Sequence, residues 1–586
     1  MIIPMKKIFL VVQDKDVVPS LDALKNFGAV HVEHIQKPAG THVQELRENI
    51  HRLEKVIAAL SQLPAPADQV AAGNAGEAAT EILGLLSLVE QMKETLASRQ
   101  SVLQQWEPWG DFNPSGIELL QEKGIFIRFV ELSEKELTRA SEDVVLHPVF
   151  VKKGIVHCLA ISREKMKLPY TSFSLPSAGV AELRRQQDRD RKRVADAEQN
   201  IRETTKYLSS FHQALNGLRE DLMFEETYAG RGREERLAVL KGFCPTEICA
   251  GLEKLAKNES WGCLIDDPAA EDNVPTLVRN PKWVDVIKPV FGVINVFPGY
   301  REVDISPVFL IFFSIFFGIL VGDAGYGLVL LALTAFSQNK SRGKVMDQTP
   351  FILTYLLCVC AVIWGALTGT FFGTVLFAKT LKPLMAWLTQ DKNVQLVCFT
   401  IGVIHLSIAH LWRFTMKYPD FSAYAEIGWV LILWSMFFLA NMMIIGMPLV
   451  GVFKYLLIAG ILLVVADILR GPKSNIFTGF ILSFFSIISA FTDIVSYIRL
   501  FAVGLAGVAV ANAFSQMALS IGFNSVVSGI ITSLILVGGH LFNIVLCGFG
   551  LLVHGLRLNV LEFSGHLGLE WSGFKYEPFK KLSRHQ

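Results

Sequence analysis

Apolar positions change their rhythm three times along this chain. Residues 5–35 read as strand, helix, strand: Ile8–Val12, then Val17–Phe27 stopped by Gly28, then Val30–His34. From Leu46 the step becomes three and four, through Ile50, Leu53, Ile57 and Leu60. After a Pro/Ala/Gly-rich break at Pro64–Gly76 it resumes from Ile82 to Leu103. Short β-branched runs such as Ile125–Val130 and Val156–Ile161 follow, and then a second long helical pattern over Ala178–Thr227. That pattern is carried by Leu208, Phe211, Leu215, Leu218 and Leu222. Two heptad-like helices separated by a globular segment predict an antiparallel coiled coil, 41–105 with 178–227. It carries one α/β lobe near 1–40 plus 237–290 and another near 110–175.

After Pro307 the rhythm gives way to long apolar runs: Val308–Val321, Ala324–Ser337, Phe351–Phe377, Val394–Phe414, Ile427–Ile445, Leu449–Leu469, Phe477–Ala518 and Val526–Phe563. Their lengths suit bilayer spans. The first two are short and share Phe317-Gly-Ile-Leu-Val-Gly-Asp-Ala-Gly-Tyr-Gly, whose glycines and Asp323 fit a tight hairpin. Read as two they give eight spans; read as one tilted helix they give seven. The last two exceed the hydrocarbon thickness and must bend, tilt or protrude. Basic Lys340, Arg342 and Lys344 place one loop on the cytoplasmic side, and Lys575, Lys580, Lys581 and Arg584 place the tail there too. The expected architecture is an α+β cytosolic arm over 1–306, an all-α membrane domain of about eight helices over 307–565, and a cytoplasmic tail over 566–586.

Composition agrees with that split. The 586 residues are 51% hydrophobic and 19% charged with net charge +1, and the mean hydropathy is +0.39. Residues 1–306 hold 38 basic and 44 acidic side chains, as a soluble domain does. The apolar run after Lys6-Lys7 is too short for a signal peptide and reads as a buried strand, which keeps the arm in the cytoplasm. Cys244 and Cys249 lack a second cysteine pair or a histidine cluster, so the eight cysteines read as reduced thiols and no metal is expected. The mixed-sign run Arg184–Arg193 reads as a solvated helix face, not a nucleic-acid patch. No phosphate-binding loop of the G-x-x-x-x-G-K-[ST] type occurs, so no ATP site is expected.

Two arginines stand inside apolar helices, Arg499 and Arg557. An arginine at mid-bilayer costs roughly 2.5–3.5 kcal/mol even on insertion scales, so such residues face a protein partner or a wet cavity. Asp493 lies six residues before Arg499, off its helical face, which leaves Arg499 free for an outside carboxylate. Arg557 and His554 lie one turn apart, followed by Asn559 and Glu562; the cluster reads either as an interfacial anchor or as a polar lining. Glu426 and Lys454 read as solvated at segment ends, Asp467 as paired with Arg470, and His405 and His410 as packing or hydrogen-bonded residues. Gly365-x-x-x-Gly369-x-x-x-Gly373 reads as a close helix–helix contact, and Gly504 with Gly507 leaves a smooth face after Arg499.

In order and spacing these motifs resemble the membrane stator subunit, called a or I, of vacuolar/archaeal-type rotary ATPases. The resemblance rests on Pro275-Thr-Leu-Val-Arg-Asn-Pro-Lys, Phe317-Gly, Gly322-Asp-Ala-Gly-Tyr-Gly, Gly365-x-x-x-Gly369-x-Phe-Phe-Gly, Ser496-Tyr-Ile-Arg-Leu, His554-Gly-Leu-Arg-Leu and Tyr576-Glu-Pro-Phe. The chain departs from the family pattern at Asp304-Ile-Ser-Pro307, where Asp-Pro-Thr is usual, and at Cys547, where some relatives are acidic. The resemblance implies a non-catalytic, multi-pass subunit, with ATP chemistry in other subunits and no cofactor. Its partners would be a proteolipid c/K ring, peripheral-stalk subunits E and G, the central-stalk-associated subunit d/C and the lipid bilayer. It implies that Arg499 and Arg557 correspond to the family's buried arginines, in a path for H⁺ or Na⁺ in a prokaryotic cell membrane. Asp493, Ser496, Tyr497 and His554 would line the path and Glu562 its cytoplasmic mouth. Gly318, Gly322, Asp323, Gly325, Gly327, Gly365, Gly369 and Gly373 would serve helix packing. The competing readings are a polytopic secondary transporter with a cytosolic regulatory domain, and a non-transporting scaffold.

Overall fold

The computed structural model describes the chain except for residues 65–69, 71–72, 134–143, 153, 164–170, 342–346, 375–381, 471–475 and 582–586. Arg342, Lys344 and Arg584, used above to orient the chain, and the end of the Phe351–Phe377 segment lie outside the described residues. The chain divides into two compact units. One comprises 8–242, 252–264 and 578–586, and the other 1–7, 243–251 and 265–577.

In the first unit, β1 (Met5–Gln13) alternates, burying Met5, Ile8, Leu10 and Val12, the period-two pattern of a strand with one covered face. Helix α1 (Val17–Phe27) ends where Gly28 takes φ +68°, a left-handed cap. With β2 (His31–Glu33), β7 (Gly232–Glu234), β8 (Leu237–Pro245) and β9 (Gly262–Asp266), β1 forms a sheet ordered β2-β8-β1-β9, with β7 on β8. A second, antiparallel sheet is ordered β4-β5-β3-β6, from β3 (Phe126–Ser133), β4 (Val145–Lys152), β5 (Ile155–Ser162) and β6 (Thr171–Phe173).

Four long helices lie between the sheet segments in sequence: α2 (Thr41–Leu60), α3 (Ala75–Trp106), α4 (Val180–Thr204) and α5 (Leu208–Ala229). Asn74 starts α3 by accepting from the Gly76 and Glu77 amides. Helix α2 packs on α5 and α3 on α4. Cross-pairs fix the direction: Arg47 meets Glu226 and Glu54 meets Arg219, while Lys93 meets Glu198 and Arg99 meets Asp190. Rising numbers on one helix face falling numbers on the other, so both pairs are antiparallel. Their seam buries Ile50, Leu53, Leu60, Ile82, Val89, Phe211 and Leu215.

The second unit is dominated by apolar helices: α6 (Ser306–Val321), α7 (Ala324–Lys340), α8 (Thr349–Thr368), α9 (Asp391–Lys417), α10 (Ser422–Ala440), α11 (Val452–Arg470), α12 (Ile476–Ser496), α13 (Ile498–Ile521) and α14 (Val526–Gly550). Beyond Gly550 the last helix continues to Leu567, with π-helical winding over Leu551–Gly555 and Leu558–Phe563. Among the described residues six helices are long and apolar enough to cross a membrane. The pair α6–α7, bent by 118°, makes seven if it is one span. α12 and α13 run together as a 46-residue helix interrupted at Tyr497.

The α6–α7 bend is built by Asp323, which accepts from the amides of Tyr326 (3.1 Å), Phe372 (2.9 Å) and Gly373 (2.7 Å). Gly322 precedes it at φ +62°. Of the glycine repeat expected to make a close helix–helix contact, one member lies inside a helix. Only Gly365 lies within α8, where a Cβ would sit 2.1 Å from the Ala324 nitrogen. Gly369 ends that helix at φ +76° and Gly373 sits in the turn beyond it. Positive φ and the left-handed cap are what stop the helix, so the repeat cannot continue along one face. Gly318, Gly325 and Gly327 pack tightly against Cys360, Phe372 and Val362 respectively.

Candidate functional site

Arg499 on α13 donates to Glu562 through Nη1 at 3.0 Å, and Arg557 Nε lies 3.4 Å from the same Glu562 oxygen. The Glu562 side chain is 6% exposed, against 29% for Arg499 and 51% for Arg557. A buried carboxylate between two guanidiniums is tolerated because opposite charges replace its lost hydration. Glu562 is therefore the bridge between the two arginines. Arg499, read from the sequence as free for an outside carboxylate, thus meets one within its own chain.

Beside this bridge lies a cavity of about 490 Å³ lined by His410, Arg413, Trp429, Ser486, Ser489, Asp493, Arg557, Leu561, Glu562, Gly565 and His566. Asp493 pairs with His566 Nε2 at 3.1 Å, not with Arg499. His566 Nδ1 faces His410 Nε2 at 2.9 Å, and His410 Nδ1 faces Glu426 Oε2 at 2.7 Å. Glu426 Oε1 also holds Lys417 Nζ at 2.6 Å and Arg413 Nε at 3.1 Å. His410, Arg413 and Lys417 recur at three- and four-residue steps on α9, so they share one helix face. The sequence reading gave Glu426 an interfacial place; it is 2% exposed and held by these three side chains. Arg470 lies over the Phe421 ring at 3.5 Å, in place of the expected Asp467 contact, and Lys454 lies over Tyr455 at 5.0 Å.

A second cavity, of about 300 Å³, borders the continuation of the same long helix at Leu500, Phe501, Gly504, Leu505 and Val508. Its other wall carries Thr368, Thr370, Thr374, Thr389 and Asp391. Along α12 and α13 the order is thus first cavity, Arg499, second cavity. From Asp493 to Gly504 is about 16 Å of helix rise.

Three residues expected to line the path are not among the lining of either cavity. Ser496 Oγ donates to the Asp493 carbonyl at 2.7 Å, the local bond a helical serine makes when buried. Tyr497 is fully buried and its hydroxyl meets His405 Nδ1 at 2.8 Å; that imidazole is stacked between Phe312 and Phe563. His554 is half-buried on the Arg557 segment and does not line the first cavity. Sequence reasoning missed the joint role of His566, His410, Arg413 and Glu426. The stepping of His410, Arg413 and Lys417 on one apolar helix was the available signal. All eight cysteines are free, and among the described residues no cluster of three or more His, Cys, Asp or Glu side chains forms a metal site.

Several apolar helices with charged groups at their centre define a polytopic integral membrane protein. No protein-family model matches the chain. It is 30% identical over 628 residues to V-type ATP synthase subunit I 1 of Treponema pallidum, covering 99% of this chain and 100% of that protein. Against V-type ATP synthase subunit I of Borreliella burgdorferi it is 29% identical over 623 residues, covering both chains in full. A-type ATP synthase subunit I of Methanocaldococcus jannaschii is 30% identical over 406 residues, 61% of this chain and 56% of that protein. The chain belongs to the V/A-type ATP synthase subunit I family and is a subunit of a rotary ATPase. A solved cytoplasmic N-terminal domain of subunit I, homolog of subunit a, of V-ATPase covers 44% of this chain and 99% of its own. At 12% identity and a TM-score of 0.23 the likeness is too slight to bear on the fold.

Proposed function

We propose that this chain is the non-catalytic stator of its rotary ATPase and forms two offset half-channels against a ring of proteolipid subunits. The observation that carries the reading is the placement of Arg499 between two separate cavities on one long helix. An ion entering either cavity meets a fixed positive charge before it reaches the other. A guanidinium within about 4–6 Å of a carboxylate favours the ionised form, so a ring carboxylate arriving at Arg499 releases its H⁺ or Na⁺. The same charge blocks direct passage from one cavity to the other. The ion then crosses by riding the ring.

The antiparallel helix pairs of the first unit supply a long coiled strut, which resists torque by docking on peripheral-stalk subunits E and G. Subunit d/C is the further contact, and ATP is made or hydrolysed in other subunits. In this reading the arm and the C-terminal tail are cytoplasmic, the membrane is that of a prokaryotic cell, and the first cavity opens on the cytoplasmic side. The test is ATP-driven ion uptake into vesicles by the assembled complex carrying Arg499→Ala, with assembly checked by co-purification. Loss of uptake with assembly intact supports the reading. Retained uptake sinks it in favour of a scaffold, and uptake by the chain without a ring would favour a secondary transporter.

A further inference from the structure

We infer that His566 and His410 form a proton relay along the wall of the first cavity, so that the ion passing this side of Arg499 is H⁺. The inference rests on the half-channel reading and names its ion. Asp493, His566, His410 and Glu426 stand in a continuous series of three contacts, at 3.1, 2.9 and 2.7 Å. Each contact needs one hydrogen. Two neutral imidazoles carry one N–H each, and two ionised carboxylates carry none. The third hydrogen is therefore one proton more than two neutral rings and two ionised carboxylates carry.

That count gives the series its chemistry. With the extra proton present, the hydrogen between His566 Nδ1 and His410 Nε2 sits on either ring while the outer N–H groups donate to Asp493 and Glu426. Transfer of the His566 Nε2 hydrogen to Asp493 leaves two neutral rings and a protonated carboxyl facing the cavity. Once that carboxyl has released its proton to the cavity, both rings hold their hydrogen on Nδ1; each turns over to carry it on Nε2, after which His410 Nδ1 accepts a proton arriving through Glu426 and the starting state is restored. Between the two rings the facing nitrogens pass a proton but offer no oxygen to an alkali cation, which takes oxygen ligands; that step is what selects H⁺.

One end of the series opens on the cavity and the other lies beneath two partly exposed cations. Glu426 is held by Lys417 and Arg413, whose side chains are 36% and 31% exposed. At the other end Asp493 borders the cavity that also contains Arg557 and Glu562. The charged groups facing the two imidazoles are thus Glu426 on α10, Arg413 and Lys417 on α9, Asp493 on α12, and Arg557 with Glu562 on the final helix. Trp429 lies nearly parallel to His410, with ring centroids 6.2 Å apart. A network that merely fastened four helices together would not need two imidazoles nitrogen to nitrogen.

The test is ATP-driven proton uptake by the assembled complex carrying His566→Ala, in vesicles, with and without added imidazole. Pyrazole, of similar shape but hardly basic, is the control. The expected result is a fall in initial rate of roughly tenfold or more, as for loss of a proton-transfer group, with recovery in imidazole and none in pyrazole. An unchanged rate overturns the relay, as does equal rescue by pyrazole, and so does sodium uptake in place of proton uptake by the unaltered complex. If His566→Ala fails to assemble, His566→Gln keeps a hydrogen-bonding side chain and carries the same comparison. Loss of uptake in Arg499→Ala with normal uptake in the histidine variant rejects the relay alone. Normal uptake in both rejects the half-channels themselves.

Discussion

Ion pairs in the helical arm and ion pairs among the apolar helices look alike in distance and differ in consequence. Arg47–Glu226 and Arg219–Glu54 in the arm meet at 2.6 Å, and so do Lys417 and Glu426 in the membrane unit. The arm pairs are wet: Arg219 and Glu54 are 49% and 43% exposed. The Glu426 and Glu562 side chains are 3% and 6% exposed. Water replaces a lost partner readily in the arm and far less around the buried glutamates. The arm pairs set direction and register, whereas those in the membrane unit are conditions for the charges being there at all.

That contrast breaks most visibly at Glu562. Glu562→Gln leaves two guanidiniums facing each other without a carboxylate, and the expected loss is about 3 kcal/mol, the low end for a broken buried pair because both arginines keep some exposure. Thermal unfolding of the purified membrane subunit in detergent reads it. Next comes a change that involves no charge: Gly365→Ala drives a Cβ into the Ala324 backbone, with an expected cost of about 2 kcal/mol from overpacking, read in the same melt. Arg219→Ala in the arm is expected to cost less than about 1 kcal/mol and to lose even that in high salt. A loss as large as that at Glu562 would erase the contrast.

The smallest effect is one of pH. Burial pushes the His34 imidazole below its ordinary value of 6.5, opposed by Glu226 and assisted by Arg47. The folded state therefore binds fewer protons there than the unfolded state does. Its contribution is complete above pH 6.5 and is lost as pH falls toward the lowered folded value. His34→Gln is expected to flatten the acid side of the arm's stability profile in pH-dependent melts.

Local regularities were legible in the sequence. The 3,4 steps of Leu46, Ile50, Leu53 and Leu60 mark a buried seam, Gly28 marks a helix end, and Arg499 stands out because no acidic residue near it in sequence shares its face. Contacts between distant segments were not. Glu562 lies 63 residues beyond Arg499, and no helical wheel joins them. His566 fell at the start of the expected tail, where a polar residue attracts no notice, and Glu426 looked solvated because only the fold covers it. Gly369 and Gly373 matched a packing repeat, although spacing alone cannot reveal that the helix stops between Gly365 and Gly373.

The π-helical winding around Arg557 has a consequence for how length variation works in this protein. Five residues of ordinary α-helix turn through about 500°, which would point Glu562 about 140° away from Arg557. The wider winding, bonded five residues apart, brings both toward one side. A single residue gained or lost between Leu551 and Phe563 would therefore act as a change of phase. It would leave the helix nearly as long while turning Glu562 and His566 to face different neighbours.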